Sequence, residues 1–196
     1  MAAAWNHNIH YHDVVLRSVP SNCRRALEVG CGQGLLARQL ARHCEQVVAI
    51  DVDHGALACA RATSASEARI AFVEGDVMTH SFSDGSFDLV TAVASLHHLS
   101  LKPALVRFRS LLRPGGILAV VGLYRPHAFG DYALSAAAFP VSWILGCTRQ
   151  RVEVGAPVQD PRETLGEIRT ACDTLLPGAV LQRHLLFRYS LIWRKP

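Results

Sequence analysis

The chain has 196 residues, and at about 150 residues per domain that length fits one domain and excludes a second large one. Half of the residues are apolar and 18% are charged, which excludes a disordered chain and describes one able to bury a substantial core. Twenty basic against sixteen acidic side chains leave +4 with no block of five or six like charges, so no nucleic-acid or membrane-surface footprint is indicated.

Residues 1–20 are expected to form an N-terminal cap segment, and MAAAWNHNIHYHD at its start lacks the basic region and apolar run of a signal peptide. Short apolar runs follow at 26–30, 46–51, 69–73, 87–93 and 117–123, rich in Val, Ile and Phe. They predict buried strands, because parallel strands covered on both faces lose polar alternation. Helical spacing separates them: Leu36, Leu40 and Cys44; Leu57 and Arg61 beside Ala60; and Leu101, Leu105, Phe108 and Leu112. Alternation of this kind predicts right-handed crossovers and a doubly wound parallel α/β sheet with helices on both faces. Leu111 to Gly116 reads as a helix stop and turn, with Pro114 barring continuation.

Beyond Leu123 the pattern breaks. Residues 124–159 hold Pro126, Pro140 and Pro157 around an Ala-rich apolar stretch, and read as a lid-like insertion over a ligand site or as a core helix broken at Pro140. Asp160-Pro161-Arg162-Glu163 resembles a helix start, and Leu165, Ile168, Cys172 and Leu175 carry that helix to Pro177-Gly178. The tail, AVLQRHLLFRYSLIWRKP, reads as an antiparallel hairpin, giving a mostly parallel seven-stranded sheet in a single domain over 1–196. Six cysteines, Cys23, Cys31, Cys44, Cys59, Cys147 and Cys172, show no metal-ligand spacing and are expected as reduced thiols of a cytoplasmic protein. The longest apolar stretch, Tyr132 to Cys147, is too short to span a bilayer.

Chemistry concentrates at Leu27-Glu28-Val29-Gly30-Cys31-Gly32-Gln33-Gly34, a strand running into a glycine-rich turn and then a helix. Glycines there supply unusual backbone angles and let a ligand approach the main chain. The second strand ends in Asp51, 21 residues beyond Gly30, where nucleoside-binding doubly wound folds place an acid for the ribose hydroxyls. A dinucleotide fingerprint is GxGxxG, whereas this turn has Gly30, Gly32 and Gly34, with Leu35 at the third glycine's place.

At this point the sequence resembles the class I S-adenosylmethionine-dependent methyltransferases, whose first motif is an acid followed by GxGxG. The resemblance runs through Ala49-Ile50-Asp51-Val52-Asp53, Glu74-Gly75-Asp76-Val77, Phe87-Asp88-Leu89-Val90, Leu96-His97-His98-Leu99 and Leu111-Leu112-Arg113-Pro114-Gly115-Gly116, over about residues 24–123. It implies a Rossmann-like fold with S-adenosylmethionine as cofactor. Glu28 and Gly30, Gly32 and Gly34 would face its methionine end, and Asp51 the ribose. Val52 would lie against the adenine, Asp76 would accept from the adenine amino group, and the Val77 amide would lie at the ring edge. Ala92 to Ala94 would approach the methionine portion through the backbone. Asp88 is assigned to ordering its strand, and Asp76 and Val52 also admit structural readings as a turn and as core.

The histidines carry the remaining candidates. His98 is a candidate general base, and Tyr11 or His12 would line the site from the cap segment. The His7 to His12 run has no ligand set beyond Asp13, so no metal is expected. Ala92-Val93-Ala94-Ser95 stands where amino-methylating DNA enzymes carry Asn/Asp-Pro-Pro-aromatic, which turns the reading away from nucleic acid. Phe129, Tyr132, Phe139 and Trp143 give the insertion an aromatic character, so the expected activity is methyl transfer to a moderately hydrophobic metabolite. A cofactor-binding cyclase or partner subunit, and more remotely an NAD-dependent oxidoreductase, share these motifs in part.

Overall fold

Most of the apolar runs become strands because they place Val, Ile, Leu or Ala on both sides of a pleat that is covered on both faces, while the run at 69–73 forms a partly covered strand at the end of the sheet. In a computed structural model that describes residues 11–127, 160–185 and 187–196, they are β1 (Arg25–Val29), β2 (Gln46–Asp51), β3 (Ile70–Glu74), β4 (Phe87–Val93) and β5 (Leu112–Leu123). The tail supplies β6 (Val180–Arg183) and β7 (Arg188–Arg194). The sheet order is β3-β2-β1-β4-β5-β7-β6. The first five are mutually parallel, while β7 runs antiparallel to β5 and β6.

Helices α1 (His12–Arg17), α2 (Leu35–Leu40), α3 (His54–Thr63), α4 (Leu101–Leu111) and α5 (Leu165–Leu175) cover the sheet. Two buried clusters lie on its two faces. Leu27 and Val29 join Phe108 and Ile168 under α4 and α5, whereas Ala26 joins Val15, Leu36, Leu40 and Leu57 under α1, α2 and α3. The strand period of two divides β1 between these cores and turns Glu28 toward the α2 side. Register puts Val29 opposite Ile50 and Ala92, and Ala92 opposite Val120, so the ends of β2, β1, β4 and β5 form one edge.

Three expectations shift. The last helix does not start at Asp160: Thr164 accepts from the Glu167 amide at 3.3 Å while Glu167 accepts from the Thr164 amide at 2.7 Å. That reciprocal box outcompetes the Asp-Pro start four residues upstream. Residues Leu112 to Gly116 end α4 as expected, yet they already belong to β5, with Leu112 opposite Phe87 and a register shift before Leu89. Cys23 and Cys44 form a disulfide rather than two reduced thiols, with Cα atoms 4.7 Å apart, while Cys31, Cys59 and Cys172 are free. The residues that lead into neighbouring parallel strands are brought side by side there, with the Glu45 amide donating to the Cys23 carbonyl.

Residues 128–159, most of the predicted insertion 124–159, lie outside the described residues, as do Cys147 and residues 1–10 of the cap segment. Among the described residues, no helix is long and apolar enough to cross a membrane.

Candidate active site

The chain leaves β1 through three glycines in the left-handed region, with φ of +70° at Gly30, +50° at Gly32 and +70° at Gly34. At Gly30 the need is double. A Cβ would stand 2.4 Å from the Ser95 Cβ, and Ser95 is fixed by its hydroxyl donating to the Val29 carbonyl at 2.7 Å. The Gly30 and Cys31 amides both donate to the Ile50 carbonyl, which ties the turn to the end of β2. Arg38 holds the far side, donating to the Gln33 carbonyl at 2.9 Å and to the Ser64 hydroxyl at 3.1 Å.

Asp51 closes the turn from β2. Its Oδ2 accepts from the Gly32 amide at 2.7 Å and its Oδ1 from the Asp53 amide at 2.9 Å. Each carboxylate oxygen keeps a lone pair, so the group is oriented and can still accept from a diol. Val52 is 71% exposed, which removes the reading of that side chain as core. Asp53 accepts from the Ala56 amide and caps α3.

Glu28 lies wholly inside, under the turn, and its Oε2 has no hydrogen-bond partner. Burial pushes its carboxyl well above the usual carboxylate range, and Asp51 adds to that, against the opposing pull of Arg38 and the Ala37 amide. An orphaned buried acceptor beneath a glycine turn fits a cationic ligand group, such as the ammonium of an amino acid moiety.

Asp76 does begin a turn, because its Oδ1 accepts from the Met78 amide at 2.9 Å; Oδ2 is not used by that bond. Val77 is buried in the core and offers its backbone only, with its carbonyl held by Arg107 at 3.3 Å. Ala92 is fully buried in β4, and the chain then turns through Ala94 at φ +52°, whose amide donates to the Val121 carbonyl. Glu28, the glycines, Asp51, Val52, Asp76, Val77 and Ala92 therefore border one edge of the sheet.

The acceptor-side candidates separate. His12 is buried, with Nδ1 2.7 Å from Gln39 Oε1, so it locks α1 onto α2. Tyr11 is half-buried against the hairpin, its ring 5.1 Å from that of His184 and 5.9 Å from the Arg188 guanidinium. Burial raises its phenol against the lowering by Arg188, so Tyr11 serves better as a wall than as a base. His98 is exposed, whereas His97 is half-buried with an unpartnered Nδ1. Ser95, Arg107 and Arg188 were not visible as site residues in the sequence, since each acts through a partner at least 30 residues away in the chain. Among the described residues, no cluster of three His, Cys, Asp or Glu could hold a metal ion.

A family model described as a methyltransferase domain matches residues 27–120. The chain is similar over its whole length to an uncharacterized methyltransferase of Mycobacterium bovis, 38% identical over 203 residues with 100% of both chains covered. It is also 38% identical over 125 residues to a ubiquinone biosynthesis O-methyltransferase of Xanthomonas campestris pv. campestris, covering 60% of this chain and 51% of that one. Among solved structures, the N-methyltransferase NodS from Bradyrhizobium japonicum, in complex with S-adenosyl-l-homocysteine, shares the fold with a TM-score of 0.66 at 20% identity, covering 97% of this chain and 89% of that one.

Proposed function

The chain belongs to the class I S-adenosylmethionine-dependent methyltransferase family, and from that premise we propose that it methylates a small, moderately hydrophobic molecule. The observation that carries the cofactor half is the Asp51 carboxylate, pinned by the Gly32 and Asp53 amides beside an exposed Val52. Asp51 holds the ribose, Val52 and the Val77 amide border the adenine, and Asp76 accepts from its amino group through Oδ2. Glu28, with the glycine turn, takes the methionine end. The cofactor supplies an activated methyl group on a positively charged sulfur.

The acceptor half rests on what stands beside that cradle. Tyr11, His98 and His97 border the same edge, and the sequence of 124–159 adds Phe129, Tyr132, Phe139 and Trp143. The ubiquinone biosynthesis relative supports an apolar small acceptor. In such a site the protein's main work is alignment of the acceptor atom, the methyl carbon and the sulfur. Holding two reactants in line contributes about 7–11 kcal/mol in favourable cases, against about 100 to 10,000-fold in rate from a general base.

Calorimetric titration with S-adenosylmethionine and, separately, with NADH tests the cofactor reading. Binding of the first and none of the second is expected, and the reverse would end it. Release of S-adenosylhomocysteine during turnover of an acceptor separates methyl transfer from a cyclase or partner-subunit role.

A further inference from the structure

β4 is buried along nearly its whole length and carries two polar side chains, Asp88 and Thr91. Asp88 is accounted for, since its Oδ2 accepts from the Arg24 and Arg25 amides and its Oδ1 pairs with Arg113 at 2.9 Å. Thr91 is not. It is fully buried, and among the described residues its hydroxyl has no hydrogen-bond partner. Valine has the same shape and an equal preference for strands, so in the ligand-free protein this hydroxyl costs stability. Buried polar atoms almost always have a partner, and an exception calls for a role.

Register points to that role. In the parallel pairing of β1 with β4, Thr91 stands directly opposite Glu28, the other residue on this face with an unpartnered enclosed oxygen. Residues paired in this way point to the same face, on strands about 4.8 Å apart, a span that a glutamate side chain crosses. Ala49 flanks Glu28 and Ala119 flanks Thr91 in the same row. Two positions along, Leu89 and Val93 on β4 and Ile117 and Val121 on β5 are apolar, as are the helix side chains buried over them. His12 of α1, sealed on the same side, spends Nδ1 on Gln39. Glu28 is therefore the polar side chain that the sheet places beside the Thr91 hydroxyl.

The two groups complement each other once Glu28 is ionised. Of the charged groups around it, Asp51 disfavours that form and Arg38 favours it. A carboxylate only accepts hydrogen bonds and has two oxygens, so it serves a cation in the cradle and a donor inside the core at once. Resting on the methyltransferase reading, we infer that Thr91 is the positioning residue of Glu28. When the cationic methionine end of the cofactor enters the cradle, the Thr91 hydroxyl donates to the enclosed Oε2 and holds the carboxylate in place. The bond is charge-assisted, and stability lost in the ligand-free protein returns as cofactor affinity.

Calorimetric titration of the full-length protein tests this with two probes. S-adenosylmethionine carries the amino acid end, and 5′-methylthioadenosine keeps the nucleoside without it. T91V is expected to weaken S-adenosylmethionine about 10-fold, while T91S, which keeps the hydroxyl, stays within about threefold of wild type. Both variants should bind 5′-methylthioadenosine as wild type does. In the E28Q background the loss on adding T91V should shrink to within about threefold, because a neutral acceptor gains less from the hydroxyl. Ligand-free T91V should resist urea at least as well as wild type, since it sheds an unpaired buried hydroxyl. Wild-type affinity in T91V overturns the inference, and so does an equal loss for both probes or an undiminished loss in E28Q. A T91V that is less stable or unfolded overturns it too, because the hydroxyl then has a structural partner without ligand. Failure of the wild type to bind S-adenosylmethionine overturns the cofactor reading itself.

Discussion

At Glu28 a fully buried carboxyl lacks a partner for one oxygen, and burial raises its pKa well above the usual carboxylate range, which favours the protonated form in the ligand-free protein. A cation placed against it favours the charged form, so binding of the sulfonium cofactor should expel that proton. Affinity then rises with pH through the interval between the bound-state and free-state pKa values, and is flat above the latter. Titrations in two buffers of different ionisation enthalpy would reveal the release as unequal heats; equal heats would exclude it. E28Q should abolish the difference and weaken binding about 10 to 100-fold, or roughly 1.4–2.8 kcal/mol. The sign for stability is opposite. A carboxyl raised above its unfolded value contributes fully below that value and loses its contribution as pH rises through the folded pKa, so the stability of the ligand-free wild type relative to E28Q should fall as pH rises. G30A tests the turn: a left-handed alanine costs about 1–2 kcal/mol, and the Ser95 contact adds about 1–3 kcal/mol of overpacking. Urea unfolding should show both in G30A measured against wild type, and only the first in G30A combined with S95G measured against S95G alone, since S95G also loses the hydrogen bond to the Val29 carbonyl. The glycines and Asp51 were legible because backbone angle and strand-end position force residue type. The side-chain tie between Ser95 and Val29, 66 residues apart, leaves no such trace.

Elements show the same division between local and distant information. The five parallel strands were legible from apolar runs, since burial on both faces of β1, β2, β4 and the body of β5 is written into consecutive residues, and β3 keeps the apolar run although it is only partly covered. The hairpin was legible as well, because its two strands are near neighbours in the chain. The start of α5 was misplaced because two local signals compete within eight residues, and only the reciprocal Thr164 and Glu167 bonds decide between them. T164A should therefore cost about 1 kcal/mol in urea unfolding, whereas D160A should cost nothing measurable; equal losses would contradict this cap. The Cys23–Cys44 disulfide was invisible, because pairing at a separation of 21 residues follows only once β1 and β2 lie side by side. It closes a loop that contains β1, the whole glycine turn and α2. On chain entropy alone such a loop stabilises by about 3 kcal/mol, so reductant should lower the unfolding free energy by about that amount. Unchanged unfolding with and without dithiothreitol would mean that the bridge does not constrain the chain.

Taken as one molecule, the two ends of the segment between β5 and α5 are tied into the fold by described residues. The Arg125 amide donates to the Glu163 carbonyl at 2.7 Å, and the Tyr124 amide donates to the Phe187 carbonyl at 3.0 Å. The flanks of the intervening chain are therefore held together by the described residues themselves, and loop-closure cost rises only slowly with length. The cradle draws on β1, β2, the turn after β3, and β4, all on the far side of β5 from the hairpin. Cofactor binding and acceptor binding should for this reason be separable by surgery. Replacing residues 128–159 with a short Gly/Ser linker is expected to leave cooperative unfolding intact and S-adenosylmethionine affinity within about threefold of wild type, while turnover of the natural acceptor is lost. Calorimetry and product assay on that one variant read the two halves independently. Loss of cofactor binding would show that the excised chain completes the cradle, and retained turnover would place the acceptor entirely among Tyr11, His97 and the sheet edge.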